Sequence, residues 1–236
     1  MKTLRLATFL ALVGLICGCS HHLEIKNLHE YHSSSLHKLP DSLSIGVSTS
    51  NTEQNGKLLV NGLANSLGKY TNQVVYPYLP VSTNKVDLVT TVAVHPDHKG
   101  SGTNFWINFP GFLIWAPAWN GYIYRPTYKV DIELLRGSDL LRLDTFSVPI
   151  VLDVRHAEMD RTWTEISWFE VGIIALIGGI AFTDYDDDVT PLLEYEIKAP
   201  IGDYLAEKIV ARATSSDILR RIRQEKEPEA APAKTP

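Results

Sequence analysis

Hydrophobic positions along the chain change their period several times, and each change marks an element. Leu43-Ser-Ile-Gly-Val alternates and predicts a strand. Leu58, Leu59, Leu63 and Leu67 then recur at helical spacing, which predicts an amphipathic helix over about 56–70. A second strand follows at 74–79. The third, 86–94, is apolar on both faces, as a central strand should be. Further on, Tyr128, Val130, Ile132 and Leu134 point one way while Lys129, Asp131 and Glu133 point the other. Gly137-Ser-Asp makes the turn of this hairpin. Its second arm changes phase: Leu141 and Leu143 are odd, whereas Phe146, Val148, Ile150, Leu152 and Val154 are even. A β-bulge near Asp144-Thr145 reconciles the two. Pro149 cannot donate to a ladder, so this arm is expected at an edge or with one open side. Ile201, Tyr204, Leu205 and Ile209 predict a closing helix, with Asp217 capping a short one after it. The expected fold class is α+β (or α/β): a single mixed sheet of about five strands with helices mostly on one face.

Two stretches break this pattern. Residues 100–124 carry no Asp, Glu, Lys or Arg and hold repeated aromatics. Pro110, Pro117 and several glycines forbid one long helix. The expectation is a long insertion (99–125) between strands. The second stretch, 163–183, contains twelve unbroken apolar or glycine positions at 171–182, roughly 18 Å as a helix and too short for a single span. All five tryptophans, at 106, 115, 119, 163 and 168, fall in or beside these stretches. Three readings stay open: a buried lobe of the core, a surface dipping into a membrane, or an exposed patch for a protein partner or a fellow protomer. Trp106, Phe112, Trp115, Trp119 and Trp168 are the candidate interaction surface.

The amino-terminal end decides the compartment. Lys2 and Arg5 precede an apolar run from Leu6 to Cys17, after which the chain turns polar at Ser20-His-His. This is the layout of a secretory signal over 1–18. At its end, Ile16-Cys17-Gly18-Cys19 resembles the lipobox of bacterial lipoproteins. That resemblance implies cleavage before Cys19, which would then carry thioether-linked diacylglycerol and an N-acyl chain such as palmitate. Ser20 rather than Asp at the next position implies the outer membrane. Several acyl chains hold a protein to a bilayer firmly, since each buried CH₂ contributes about 0.8 kcal/mol. Residues 19–40, rich in histidine, are expected to be a polar tether, 41–223 a single periplasmic domain, and 224–236 a disordered tail. The order of elements, together with export, also loosely resembles the TolB amino-terminal domain and the curli-secretion lipoprotein. No motif of either carries residues over.

Composition narrows the chemistry. Removing residues 1–18 leaves 218 of the 236 and, with Lys2 and Arg5 gone, takes the formal net charge from −5 to −7. An acidic chain without basic clusters argues against nucleic acid as a partner. Cys19 is then the one remaining cysteine, so no disulfide framework or cysteine metal site is expected. No GxSxG, Ser-x-x-Lys or Gly-rich phosphate loop occurs. His95-Pro-Asp97-His98, at the end of the central strand, is the best constellation. His with Asp can move protons or hold a metal, yet His-Pro-Asp is equally good turn chemistry. His29 and His32 in the tether, and the Asp184–Asp188 run, are weaker metal candidates. Asp184–Asp188 also suits a helix start at Thr190-Pro191. No cofactor is expected.

The resulting expectation is a non-enzymatic, lipid-anchored outer-membrane protein facing the periplasm. It would be an accessory or structural subunit of an envelope assembly, export or transport system, meeting a protein partner or a second copy of itself. The alternative is a periplasmic small-ligand binder or hydrolase using His95, Asp97 and His98.

Overall fold

A computed structural model of the chain describes residues 22–33, 39–40, 43–50, 56–71, 73–80, 85–108, 121–157, 180 and 183–223. The elements in chain order are β1 (His22–Ile25), a 3-10 turn (Leu28–Tyr31), β2 (Ile45–Thr49), α1 (Lys57–Leu67), β3 (Val74–Val75) and β4 (Leu88–Lys99). Then come α2 (Thr103–Asn108), β5 (Tyr122–Arg136), β6 (Arg142–Val151), β7 (Val154–Ala157), α3 (Val189–Ala213) and α4 (Ser216–Arg223). The fold is α+β with one open mixed sheet. Its strands hydrogen-bond in the order β1-β7-β5-β4-β2-β3, and β6 pairs with β5.

The sheet has seven strands, against the five expected. Part of the excess comes from β1, which lies in the stretch expected to be tether. Its four residues, His-Leu-Glu-Ile, do alternate, but a run so short between histidines gives no periodic signal. What makes it a strand is antiparallel pairing with β7, from His22↔Ala157 to Ile25↔Val154, about 130 residues away in sequence. The hairpin's second arm is also two strands. Between β6 and β7 the Leu152 N–H donates to the Pro126 carbonyl (2.9 Å) and the Asp153 N–H to the Asn27 side-chain oxygen (2.9 Å). The expected phase change is visible, because burial falls on Leu143 and then on Val148, Ile150, Leu152 and Val154. Pro149 is exposed on β6, whose one strand partner among the described residues is β5.

Contacts divide the chain into two compact units, with β4, β5 and α3 running through both. The first unit contains β1, residues 97–99, α2, residues 122–127, β7 and the first residues of α3. Here β5 pairs antiparallel with β7 from Tyr122↔His156 to Tyr124↔Val154. Gly121, at φ 68°, lies against the His156 carbonyl, where a Cβ would fall 2.5 Å from its carbon. Strand β5 starts at Tyr122, so the end of the expected 99–125 insertion is already sheet, and α2 occupies part of the rest.

The second unit is built on β2, which is parallel to both β3 and β4. Ile45↔Val74 and Gly46↔Val75 set one register, and Ile45↔Leu88 through Thr49↔Val92 the other. Helix α1 lies between β2 and β3 in sequence, as a parallel crossover requires. Its buried stripe is Leu59, Val60, Leu63, Ala64 and Leu67, with Leu58 on the half-buried flank. Tyr128, Val130, Ile132 and Leu134 of β5 are fully buried, as their alternation predicts. Each such side chain contributes about 1.5–3 kcal/mol. Tyr78 packs with Val86 and Val89, and its ring lies on Gly46, where a Cβ would fall 2.7 Å from ring carbons.

The closing helix is longer than its apolar spacing suggests. Thr190-Pro191 and Ile201–Ile209 belong to one helix of 25 residues, α3, with Pro200 inside it. Pro200 has no N–H to donate, which is why the sequence reads as two pieces. Burial of Ile197, Ile201, Leu205 and Ile209 along one stripe holds the second unit's part together. Ahead of it, Asp186 accepts a hydrogen bond from the Asp188 N–H at 3.1 Å, and its carbonyl accepts from Val189. The acidic run therefore leads directly into the helix start.

Candidate functional site

His95, Asp97 and His98 do not form a turn; they lie within β4, which continues to Lys99. Pairing with β2 ends at Val92 among the described residues, so Pro96, which lacks an N–H, takes no donor from that ladder. A strand sends successive side chains to opposite faces, which puts His95 and Asp97 on one face and His98 on the other.

Each then has its own neighbours. His95 Nε2 lies 3.3 Å from Asp131 Oδ2, and Lys129 Nζ donates to the same oxygen at 3.0 Å. Ser147 Oγ donates to the other carboxylate oxygen. The Ser147 hydroxyl, then Lys129, hold the Asp131 carboxyl below the usual carboxylate range. Asp97 pairs with Lys99 at 3.5 Å, both well exposed. His98 is half-buried and tilted 40° over the Tyr185 ring, with centroids 4.6 Å apart. Burial pushes its pKa down, against the opposing charges of Asp187 and Asp97. Tyr185 in turn meets Tyr124 edge-on at 5.4 Å. These are cross-strand, ion-pair and ring contacts, each made within one unit. Among the described residues no group of three or more His, Cys, Asp or Glu is placed to hold a metal ion. His29 and His32 are exposed, and His29 sits on the 3-10 turn.

Trp106 is the one member of the candidate interaction surface among the described residues, and it is 66 % exposed. It sits on α2 beside Phe105, ring edge to face at 5.0 Å. The helix is pinned by Asn104, which sequence reading passes over. Asn104 is fully buried: its amide nitrogen donates to the Ile123 carbonyl (2.9 Å) and its oxygen accepts from the Ile123 N–H (2.8 Å). The side chain thus acts as a one-residue strand partner for β5. Because Ile123 spends both groups on Asn104, it faces Arg155 of β7 as a non-hydrogen-bonded pair. Phe112, Trp115, Trp119, Trp168 and Cys19 lie outside the described residues. No described helix is long and apolar enough to cross a membrane.

A second residue missed from sequence is Glu194. It is buried on α3, accepts the Gly56 N–H at 3.0 Å, and has its carboxyl pushed up by that burial. Gly56 opens α1 at φ 83°, so the carboxylate supplies the acceptor that this helix start otherwise lacks. Glu194 falls on the apolar stripe beside Leu193 and Ile197, a legible if weak sign of a buried acid.

No family model matches the chain, and no curated protein matches it. Among solved structures it is similar to a minor lipoprotein from Acinetobacter baumannii, at 11 % identity and a TM-score of 0.33, over 80 % of this chain and 96 % of that one. It is also similar to the PelC dodecamer from Paraburkholderia phytofirmans (13 %, 0.30, over 71 % and 100 %). A third is the rare lipoprotein B from Shewanella oneidensis (12 %, 0.26, over 65 % and 96 %). At these identities and scores the likeness transfers no function to this chain.

Proposed function

We propose that this chain is a lipid-anchored protein of the bacterial outer membrane, its folded part facing the periplasm, and that it works by contact rather than by catalysis. It serves as an accessory or structural subunit of an envelope assembly, export or transport system. One observation carries the reading: the lipobox-like Ile16-Cys17-Gly18-Cys19 stands between an apolar signal segment and the first strand. Acylation of Cys19 fixes the domain at a membrane surface, and the aromatic stretch around Trp106 is its contact surface. The alternative, a site at His95, Asp97 and His98, is weakened by their division between two faces of β4 and by the Asp131 and Tyr185 contacts.

Mass spectrometry of the protein purified from membranes tests this directly. The expected terminus is a tri- or diacylated Cys19, and globomycin should cause the uncleaved precursor to accumulate. A chain that keeps Met1, or a free Cys19 thiol, would overturn the reading. In-cell crosslinking from Trp106 then identifies what the contact surface meets.

A further inference from the structure

Only Ser20 and His21 separate Cys19 from the first residue of β1. Three Cα–Cα steps of 3.8 Å put Cys19 no more than about 11 Å from His22, whatever their conformation. A tether running to residue 40 would instead allow roughly 70 Å. The difference is the four-residue ladder of β1 on β7, which joins the first unit to the chain almost at the anchor.

One line of backbone crosses this unit from the anchored strand to α2. Glu24 of β1 faces Arg155 of β7, Arg155 faces Ile123 of β5, and Ile123 is held by the Asn104 side chain. At about 4.8 Å per strand, roughly 15 Å separate β1 from α2. Trp106, two residues after Asn104, is therefore within a short span of the acylated end, on a helix that cannot drift from the sheet.

We infer that the α2 edge of this unit rests on the bilayer, with the Trp106 indole seated among the lipid headgroups; the inference rests on the acylation of Cys19 proposed above. The short leash favours lipid over protein as occupant, because it keeps the unit at the membrane at all times. The chemistry agrees. Indole is an apolar ring with one N–H, the combination that favours the water–lipid boundary. Residues 100–108, which include α2, carry no formal charge that would need desolvating there. Phe105, half-buried, packs edge-on against Trp106 and helps to fix its ring.

The test uses the full-length protein, processed in cells and reconstituted in phosphatidylethanolamine–phosphatidylglycerol vesicles. Trp106→Cys supplies the one free thiol, since Cys17 leaves with the signal segment and the Cys19 sulfur is in thioether linkage. It is labelled with an environment-sensitive fluorophore. The expected result is blue-shifted emission that is lost when the lipid carries a quencher at the headgroup–acyl boundary. Vesicle flotation and the mass of the terminus are measured on the same sample. A protein that floats, acylated, with a water-like label overturns the inference and leaves the anchor intact. So does a blue-shifted label untouched by lipid-borne quencher, which would mean cover by protein. A protein that neither floats nor carries lipid overturns the anchor, and the inference with it.

Discussion

Gly62→Ala adds a single methyl where α1 meets α3, and the structure assigns it no room. A Cβ at Gly62 would lie 2.7 Å from the carbonyl carbon of Lys198 and closer still to its oxygen. Gly202 answers from the other helix, where a Cβ would fall 2.5 Å from the Gly62 carbonyl carbon and 2.7 Å from its oxygen. Both obstructing groups are backbone, so no side chain can rotate aside; the helices must separate. Alanine gains about 1 kcal/mol over glycine in a helix interior. Overpacking a tight core costs about 1–3 kcal/mol, and more where backbone has to move. Separation also loosens the packing around the fully buried Leu59 and Leu63 of α1 and Ile201 and Leu205 of α3. The net expectation is a loss of about 2 kcal/mol or more, a fall of roughly 4–8 °C in Tm for a chain of this size. Urea titration and thermal circular dichroism on the chain from residue 19, carrying Cys19→Ala, measure it. Gly102→Ala is the control, since a Cβ there meets nothing within 4 Å. Gly62→Ala and Gly202→Ala together should cost less than their sum, because the first separation makes space for the second. If Gly62→Ala matches or exceeds the parent in stability, the close helix crossing is wrong.

Glu194→Gln tests the buried acid. Burial holds its folded pKa above the unfolded-chain value of 4.5, with the Gly56 N–H pulling partly the other way. Its contribution to stability is thus full below that value and is lost as pH rises through the folded one. The Gln variant should therefore gain on the parent as pH rises above about 4.5, until the folded carboxyl has ionised, as read by urea midpoints; a pH-independent difference would refute it. Asn104→Ala strips the part-buried Ile123 N–H and carbonyl of their partner, at about 1 kcal/mol for each bond lost. Hydrogen exchange should accelerate across α2, and unchanged protection there would show that Asn104 does not pin the helix. Arg221 donates to the Leu143 and Arg142 carbonyls of β6 at 3.0 and 3.2 Å. Arg221→Ala should free α4 to exchange while global stability falls by only about 1–2 kcal/mol; protection of α4 at the parent level would count against it.

What the sequence makes legible are the elements whose burial repeats with the backbone period. The even positions of β5, the Leu59–Leu63–Leu67 stripe and the phase change in β6 are all of this kind. Each encodes one apolar face against a core, and period alone is enough to read it. The misses have other causes. Strand β1 is fixed by a partner about 130 residues away, and nothing within His-Leu-Glu-Ile announces it. The 25-residue α3 is divided for a sequence reader by Pro200, whereas burial of Ile197 and Ile201 on either side carries the helix through. His95-Pro-Asp97-His98 has the composition of a turn, but β4 carries on to Lys99, past Val92 where its pairing with β2 ends. Asn104 had no signal at all, because a buried amide completing a sheet edge looks in sequence like any loop asparagine.

Among the described residues the polar candidates have partners, while Trp106 is largely exposed. His95 and Lys129 converge on Asp131, which Ser147 also bonds, and His98 packs on Tyr185. Those contacts give each side chain a reason to be present that needs no ligand: a cross-strand pair on an exposed face, or a ring closing over a ring. Trp106 is the reverse. A large apolar ring left two-thirds exposed adds little to folding, and most of the stabilisation available from covering it is still unspent. Its helix, by contrast, is held to β5 by a buried amide making two hydrogen bonds. A firmly held helix that carries an exposed tryptophan among the described residues is what the contact surface proposed above requires.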